Sequence, residues 1–164
     1  MAPVSEPYRE QLIRLLEGVG SHMPFEEAIA DFPADAINTF PPNVPYTPWH
    51  LIEHMRLTQV DMLEYVTNPD YTDRIWPVDF WPERQTTATP EQWAASVQGF
   101  LADRATFSAL VADVTRDIFE PIPRTPGHTL ARGVRIIGDH NAYHVGEFAI
   151  LRQVMGTWPP GHES

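Results

Sequence analysis

Apolar side chains recur at helical spacing in four stretches of the chain, and the prolines fall between these stretches. The windows without proline are residues 8–23, 49–68, 91–120 and 127–158. Proline is excluded from helix interiors because it lacks the backbone N–H and its ring clashes with the preceding turn. Residues three and four positions apart share one face of a helix, so the pattern predicts an amphipathic helix in each window.

The apolar faces of these helices supply the candidate core, because such faces are buried by packing against one another. They consist of Tyr8, Leu12, Leu15, Leu16 and Val19 in the first window; Leu51, Ile52, Met55, Met62, Leu63 and Val66 in the second; Trp93, Val97, Phe100, Phe107, Val111 and Val114 in the third; and Ile136, Ile137, Leu151, Val154 and Met155 in the fourth.

Capping signals mark where three of the helices begin. Thr47 and Thr89 each precede a proline, which is the pattern of an N-cap followed by proline at the first helical position. Gln92 adds a capping box to the third helix. The fourth helix is predicted to begin near Thr129.

Breaking residues mark where the helices end. Gly18 and Gly20 are stop signals for the first helix, and Gly156 is one for the last. Pro121 and Pro123 are predicted to end the third helix, since neither can continue it.

Two of the predicted connections are long. Residues 21–46 are irregular apart from a short helix expected over 25–29. Residues 69–89 carry Trp76 and Trp81, which favours an ordered loop packed by its aromatic side chains. No alternating run of β-branched residues occurs, so no sheet is predicted. The predicted fold is all-α: a four-helix bundle with long crossover connections.

Composition narrows the class of protein and of partner. A chain of 164 residues with 43% hydrophobic content is expected to form one domain, residues 1–164, with a real core. The formal net charge is −11, and the eleven basic residues are all arginine. This balance repels phosphate backbones and anionic surfaces, so neither nucleic acid nor a membrane is an expected partner.

Missing residue types exclude several chemistries. The absence of lysine excludes a Walker-type phosphate lysine and Schiff-base catalysis. The absence of cysteine excludes disulfides, thiolate nucleophiles and cysteine zinc sites, so a metal ion would be held by His, Asp or Glu. Residues 1–10 are polar, and no apolar stretch is long enough to span a bilayer; we therefore expect a cytoplasmic protein.

The last window carries the clearest candidate for chemistry. His140 and His144 lie one helical turn apart on the same face, and Glu147 falls between them on the helical wheel. Two imidazoles at this spacing can bind one metal ion, as in helical zinc sites. The same spacing also occurs in hydrogen-bonded core histidines, so the interpretation depends on a third ligand.

The second window offers that ligand. His50, His54, Thr58 and Asp61 form a narrow polar arc opposite the apolar face. The helical wheel alone does not decide whether this arc faces solvent or lines a polar pocket.

At these residues the chain resembles the DinB superfamily, damage-inducible and YfiT-like four-helix-bundle proteins that bind a divalent metal through three histidines. The resemblance covers nearly the whole chain. The positions that carry it are residues 47–54, Trp76 and Trp81, residues 139–147, residues 151–152 and residues 156–158.

Carried over by position, the resemblance implies His54, His140 and His144 as the metal ligands. His54 fits better than His50 because the ligand of the family lies a full turn or more inside the helix. The family often has glutamine where this chain has Glu147. That difference leaves three roles open for Glu147: a fourth ligand, a hydrogen-bond partner of a ligand histidine, or a general base.

Two further polar residues stay open at this point. A ligand from His50 would complete a four-histidine site and favour a structural or heme-like role, whereas three histidines leave a position open for reactivity. Asp61 is either another partner of a ligand histidine or an ordinary surface carboxylate.

The resemblance also implies a function. The expected cofactor is a divalent ion, Zn or Ni first and Fe as a further candidate. Characterised relatives are thiol-dependent transferases and isomerases, which implies a low-molecular-weight-thiol S-transferase whose thiol (mycothiol, bacillithiol or glutathione) comes from the cosubstrate. The alternative is a non-enzymatic stress-response bundle with a structural metal. A metal hydrolase with Glu147 as its base is a third reading; no catalytic residue is assigned.

The resemblance further implies a homodimer, for which the aromatic residues of 69–89 offer a contact surface. Arg56, Arg132 and Arg135 are candidates for binding the carboxylates of a thiol cosubstrate. No spacing singles one of them out, and solvated surface charge is the favoured interpretation for each.

Overall fold

The computed structural model describes residues 6–122 and 124–162, and it is built from helices. The helices are α1 (Glu6–Glu17), α2 (Phe25–Ile29), α3 (Pro48–Thr67), α4 (Pro90–Ala112) and α5 (Leu130–Met155). In these two ranges no strand occurs, only an isolated bridge between Pro121 and Thr129. The all-α prediction is confirmed, with α2 as the expected short extra helix. The single domain over residues 1–164 stays a prediction.

The predicted N-caps are present. The Thr89 side chain accepts a hydrogen bond from the Gln92 backbone N–H, and the Gln92 side chain accepts one from the Thr89 backbone, which completes the capping box. The Thr129 side chain caps α5 by accepting a hydrogen bond from the Arg132 backbone N–H. Gly156 ends α5 with φ of 63°, the left-handed conformation that glycine adopts without strain.

The prediction that α4 extends to Pro121 is wrong. The helix ends at Ala112, and Val114 is 68% exposed outside it. The Asp113 carboxylate accepts hydrogen bonds from the backbone N–H and the hydroxyl of Thr115. Such local bonds give the backbone an alternative to the helix, and they end it before any proline is reached.

Other assignments to the apolar faces are also corrected. Tyr8 and Leu15 of α1 are 39% and 36% exposed. Val19 lies beyond the end of α1 and is exposed. Val154 is in the last turn of α5 yet is 54% exposed, because it lies on the outer face of the helix that also carries the exposed Ile150.

The four long helices form a bundle in which α1 and α3 each pack against α4 and α5. The indole of Trp49 donates to Ser96, and further along both helices the Gln59 amide donates to the Phe100 carbonyl. Both helices therefore run in the same direction. Parallel neighbours that follow each other in the chain need a connection that returns along the bundle, and residues 68–89 make this crossover.

Helix α5 runs antiparallel to α3 and packs closely on its neighbours. A Cβ at Gly133 would lie 2.8 Å from a methyl of Val66, near the end of α3. A Cβ at Gly138 would lie 2.6 Å from Leu15 of α1. Both distances are too short for a real side chain, so glycine is what allows the backbones to approach.

A buried arginine, Arg152, ties the end of the bundle together, a role that the sequence did not predict for it. Arg152 is 0% exposed, and its guanidinium donates to the carbonyls of Ala28, Ala30 and Thr157. It also lies over the Trp158 ring, 4.0 Å from the centroid. These contacts hold α2 and the segment after α5 against the helix.

Candidate metal centre

The antiparallel packing of α3 and α5 brings three histidines together. His54 Nε2 lies 3.2 Å from His140 Nε2 and 3.2 Å from His144 Nε2. All three nitrogens lie within 4.8 Å of one another. His54 and His144 are buried, and His140 is half-buried.

The outer nitrogens of two rings determine where their lone pairs point. His54 Nδ1 is 2.8 Å from the carbonyl oxygen of Phe80, and His144 Nδ1 is 2.6 Å from the Glu147 carboxylate. A carbonyl oxygen and a carboxylate only accept hydrogen bonds, so each Nδ1 must donate. Each neutral ring then carries its lone pair on Nε2. The two lone pairs face each other, which is repulsive unless a cation lies between them.

The pKa values of these groups fit neutral ligands beside an ionised carboxylate. Burial lowers the pKa of His54 to about 4 and that of His140 to about 3, the second with help from the two neighbouring imidazoles. Burial opposes ionisation of Glu147, but hydrogen bonds from His144 and Tyr46 bring its pKa below the ordinary value. Neutral imidazole is the form that binds metal ions.

Glu147 is engaged on both oxygens. Its Oε2 accepts from His144 Nδ1, and its Oε1 accepts from the hydroxyl of Tyr46. Burial, and to a lesser extent this hydrogen bond, raises the pKa of Tyr46. Its hydroxyl therefore stays protonated and acts as the hydrogen-bond donor. Of the three roles left open for Glu147, this geometry fits the hydrogen-bond partner of a ligand histidine.

The crossover between α3 and α4 forms one wall of the centre. The Trp81 ring stacks on the His54 imidazole, with centroids 3.9 Å apart and planes 7° apart. The neighbouring Phe80 supplies the carbonyl that orients His54. Trp76 approaches the same imidazole edge-on and is 65% exposed. The segment is packed by its aromatic residues, as the sequence predicted, and these residues contact the triad.

The structure gives His50 a different role. Its Nδ1 accepts from the backbone N–H of Thr47 at 3.1 Å, while the Thr47 hydroxyl accepts from the His50 backbone N–H. This is a capping box in which histidine stands where glutamate or glutamine is usual. Burial lowers the pKa of His50, which keeps the accepting nitrogen unprotonated. At the start of α3, the polar arc therefore faces the protein interior and not the solvent.

Asp61 belongs to another cluster. Its carboxylate accepts from the Tyr71 hydroxyl at 2.7 Å and pairs with Arg74 at 3.2 Å. Burial raises its pKa against the opposing effect of these two partners. It is half-buried and paired, so neither of the two roles expected for it describes it.

The residues that support the triad were missed at the level of sequence. The Phe80 contact uses a backbone carbonyl, which no residue type reveals. Tyr46 lies 101 residues from Glu147 in the chain, and nothing in the spacing links the two. Trp81 was assigned to loop packing, to the family resemblance and to a dimer surface, but not to a contact with the triad.

Comparison with known proteins identifies the family of this fold and site. The family model of the DinB superfamily matches residues 20–148, which is more than half of the chain and includes all three histidines. No curated protein matches the chain, and no solved structure does.

Proposed function

Because the chain belongs to the DinB superfamily, we propose that His54, His140 and His144 bind one divalent metal ion that serves a low-molecular-weight-thiol S-transferase. The observation that carries this proposal is the set of three converging Nε2 atoms with no further protein donor grouped with them in the described residues. Three imidazoles with an open position are typical of reactive metal sites, whereas structural sites are closed by a fourth protein ligand.

The donor set fits a transition metal. Three nitrogens at Zn–N distances of about 2.05 Å with tetrahedral angles lie about 3.3 Å apart, and His54 Nε2 lies 3.2 Å from each of its two neighbours. Imidazole suits Zn, Ni and Fe, whereas Mg and Ca prefer oxygen ligands. We propose Zn or Ni, with Fe as a further candidate.

When bound, a divalent ion at the triad would lower the pKa of a thiol or water in its open position. The residues of the chain supply orientation and shielding. Phe80 and Glu147 hold the rings of His54 and His144, and Trp81 covers one face of His54. The thiol itself has to come from a cosubstrate, because the chain contains no cysteine.

Glu147 is a poor candidate for the general base of a metal hydrolase. Both of its oxygens already accept hydrogen bonds, one from His144 and one from Tyr46. Activating a water would require it to release one of them. The transferase reading needs no base from this residue, since a thiol is acidic enough to ionise at a Lewis-acidic position.

A structural metal in a non-enzymatic protein is the second candidate. The burial of His54 and His144 favours it, since only 2% and 7% of these residues are exposed. A cavity of about 380 Å³ lies away from the triad, between the end of α3 and the start of α5.

Arg56 is a weak candidate for binding a carboxylate of the thiol cosubstrate, because its guanidinium already pairs with Glu53 at 2.6 Å.

We also propose a cytoplasmic homodimer. None of the helices in residues 6–122 and 124–162 is long and apolar enough to cross a membrane. Ile75, Trp76 and Val78 of the crossover expose large apolar side chains, which supports a contact between two copies. Sedimentation of a clean monomer at high concentration would end the dimer proposal.

The function is tested by metal analysis combined with X-ray absorption on wild type, His140→Ala and the exposed control His22→Ala. We expect one equivalent of metal with three imidazoles and one exchangeable ligand, lost only in His140→Ala, and thiol-dependent turnover in a screen of electrophiles. A saturated shell of protein ligands without turnover would support the structural alternative. Absence of metal from all three proteins would overturn both.

A further inference from the structure

We infer that Tyr46 is a positioning residue of the metal centre. Through its contacts with Glu147 and Trp81, Tyr46 holds two of the three ligand histidines in place. The inference rests on the proposed function in taking His54, His140 and His144 as the ligands. It assigns a role to a residue that neither the sequence pattern nor the family match singles out.

The hydroxyl of Tyr46 reaches the first of these ligands through Glu147. It donates to Glu147 Oε1, and Glu147 Oε2 accepts from His144 Nδ1 at 2.6 Å. A glutamate carboxylate otherwise rotates readily about its last bond, because torsions to sp² carbons are broad. The hydroxyl therefore fixes the carboxylate, and the carboxylate fixes the tautomer and plane of the His144 ring.

The ring of Tyr46 reaches the second ligand through Trp81. The Tyr46 and Trp81 rings have centroids 5.2 Å apart at an angle of 33°. Trp81 in turn stacks on His54 at 3.9 Å. Tyr46, which directly precedes the N-cap of α3, thus connects His54 on α3 with His144 on α5.

The third ligand has no comparable support. Nδ1 of His140 is buried and has no hydrogen-bond partner in the described part of the chain. The His140 ring is half-buried, whereas those of His54 and His144 are buried. Tyr46 therefore supports the two ligands whose Nδ1 atoms have hydrogen-bond partners. Removing its hydroxyl is expected to affect the position of the His144 ring first.

The test uses Tyr46→Phe, which removes only the hydroxyl, and Tyr71→Phe as the matched control. Tyr71 also lies in a connecting segment and also donates to a carboxylate, that of Asp61, at 2.7 Å. Metal affinity is measured by competition with a chromophoric chelator, and the geometry of the site by the visible spectrum of the Co(II)-loaded protein. We expect Tyr46→Phe to weaken Co(II) binding by about tenfold, at the low end for loss of an outer partner of a ligand, and to shift the Co(II) bands.

A general loss of stability would not produce this pattern. Tyr71→Phe removes an equivalent hydrogen bond, and we expect it to leave both the affinity and the spectrum unchanged. If Tyr46→Phe matches wild type in both measurements, the positioning role is wrong. Equal weakening in both variants would also overturn it, since the effect would then be one of stability.

A metal-free measurement separates this inference from the proposed function. Nitrogen-15 NMR of the histidine rings reports which nitrogen of His144 carries the proton. We expect a single tautomer with the proton on Nδ1 in wild type and a mixture in Tyr46→Phe. If wild type binds no metal but shows this change, the proposed function fails and the positioning role stands. An unchanged His144 tautomer in Tyr46→Phe would overturn the positioning role.

Discussion

Glu147 lies three residues after His144 on α5, and its Oε2 accepts a hydrogen bond from His144 Nδ1 over 2.6 Å. This bond leaves the Nε2 lone pair of His144 directed at the other two histidines. A carboxylate that holds a histidine in this way acts through that histidine. It needs no contact with a metal ion to influence how tightly the ion is bound.

Replacing this carboxylate is expected to weaken metal binding. We expect Glu147→Ala to reduce affinity by about 10–100-fold, the usual cost of losing such a partner. Glu147→Gln keeps an accepting oxygen and should lose less. Chelator competition measures both, with Glu64→Ala on the surface of α3 as the control. Equal affinities for Glu147→Ala and the control would show that the bond to His144 does not matter for binding.

His50 is expected to affect stability and not metal content. His50→Ala removes the hydrogen bond that the ring accepts in the α3 capping box, a typical loss of about 1 kcal/mol, and it also leaves a cavity in a buried position. His50→Gln places the usual residue in the box and should recover part of the loss. Urea unfolding gives the free energies, and metal analysis should give wild-type stoichiometry for both. Loss of metal in His50→Ala would indicate a four-histidine site.

Removing the buried guanidinium of Arg152 is expected to destabilise the protein strongly. Arg152→Met leaves the carbonyls of Ala28, Ala30 and Thr157 without their charged donor. Buried groups left unsatisfied cost about 1–3 kcal/mol each, so we expect a loss of about 3 kcal/mol or more. The exposed Arg135→Met is the control. Similar urea midpoints for the two variants would contradict a structural role for Arg152.

Two glycines of α5 are expected to respond in opposite directions to the same change. Gly138→Ala forces a Cβ to within 2.6 Å of Leu15 and should cost about 1–3 kcal/mol through overpacking. Gly146→Ala meets nothing within 4 Å and should stabilise the helix by up to about 1 kcal/mol. Thermal unfolding without metal measures both. A stabilising Gly138→Ala would mean that α1 can move away from α5.

Acid is expected to destabilise the metal-free protein. Unfolded histidines take up protons near pH 6.5, whereas burial lowers the pKa of folded His54 to about 4 and of His140 to about 3. The unfolded chain then binds more protons, so stability falls as the pH drops from about 6.5 towards 4. Urea unfolding with a chelator at several pH values measures the slope, which should be shallower in His140→Gln. Equal slopes would mean that His140 is not held neutral by the fold.

The sequence determined the features that depend on near neighbours in the chain. Helix spacing and caps involve residues three or four positions apart, so Thr89 with Gln92, and Gly156 after α5, were found from the sequence. The same spacing indicated that His140 and His144 share a face. The end of α4 is also determined locally, by the Asp113 side chain that competes with the helix. The next proline in the sequence nevertheless suggested a later end.

Tertiary structure decided which face meets which partner. His54 and His144 lie 90 residues apart, and Tyr46 and Glu147 lie 101 apart, so only the packing of α3 on α5 and the route of the crossover bring them together. The orientation of His54 depends on a backbone carbonyl, which has no identity in a sequence. Helical periodicity says that a side chain faces inward; the contact that it then makes depends on the packed neighbour, and that neighbour comes from a distant part of the chain.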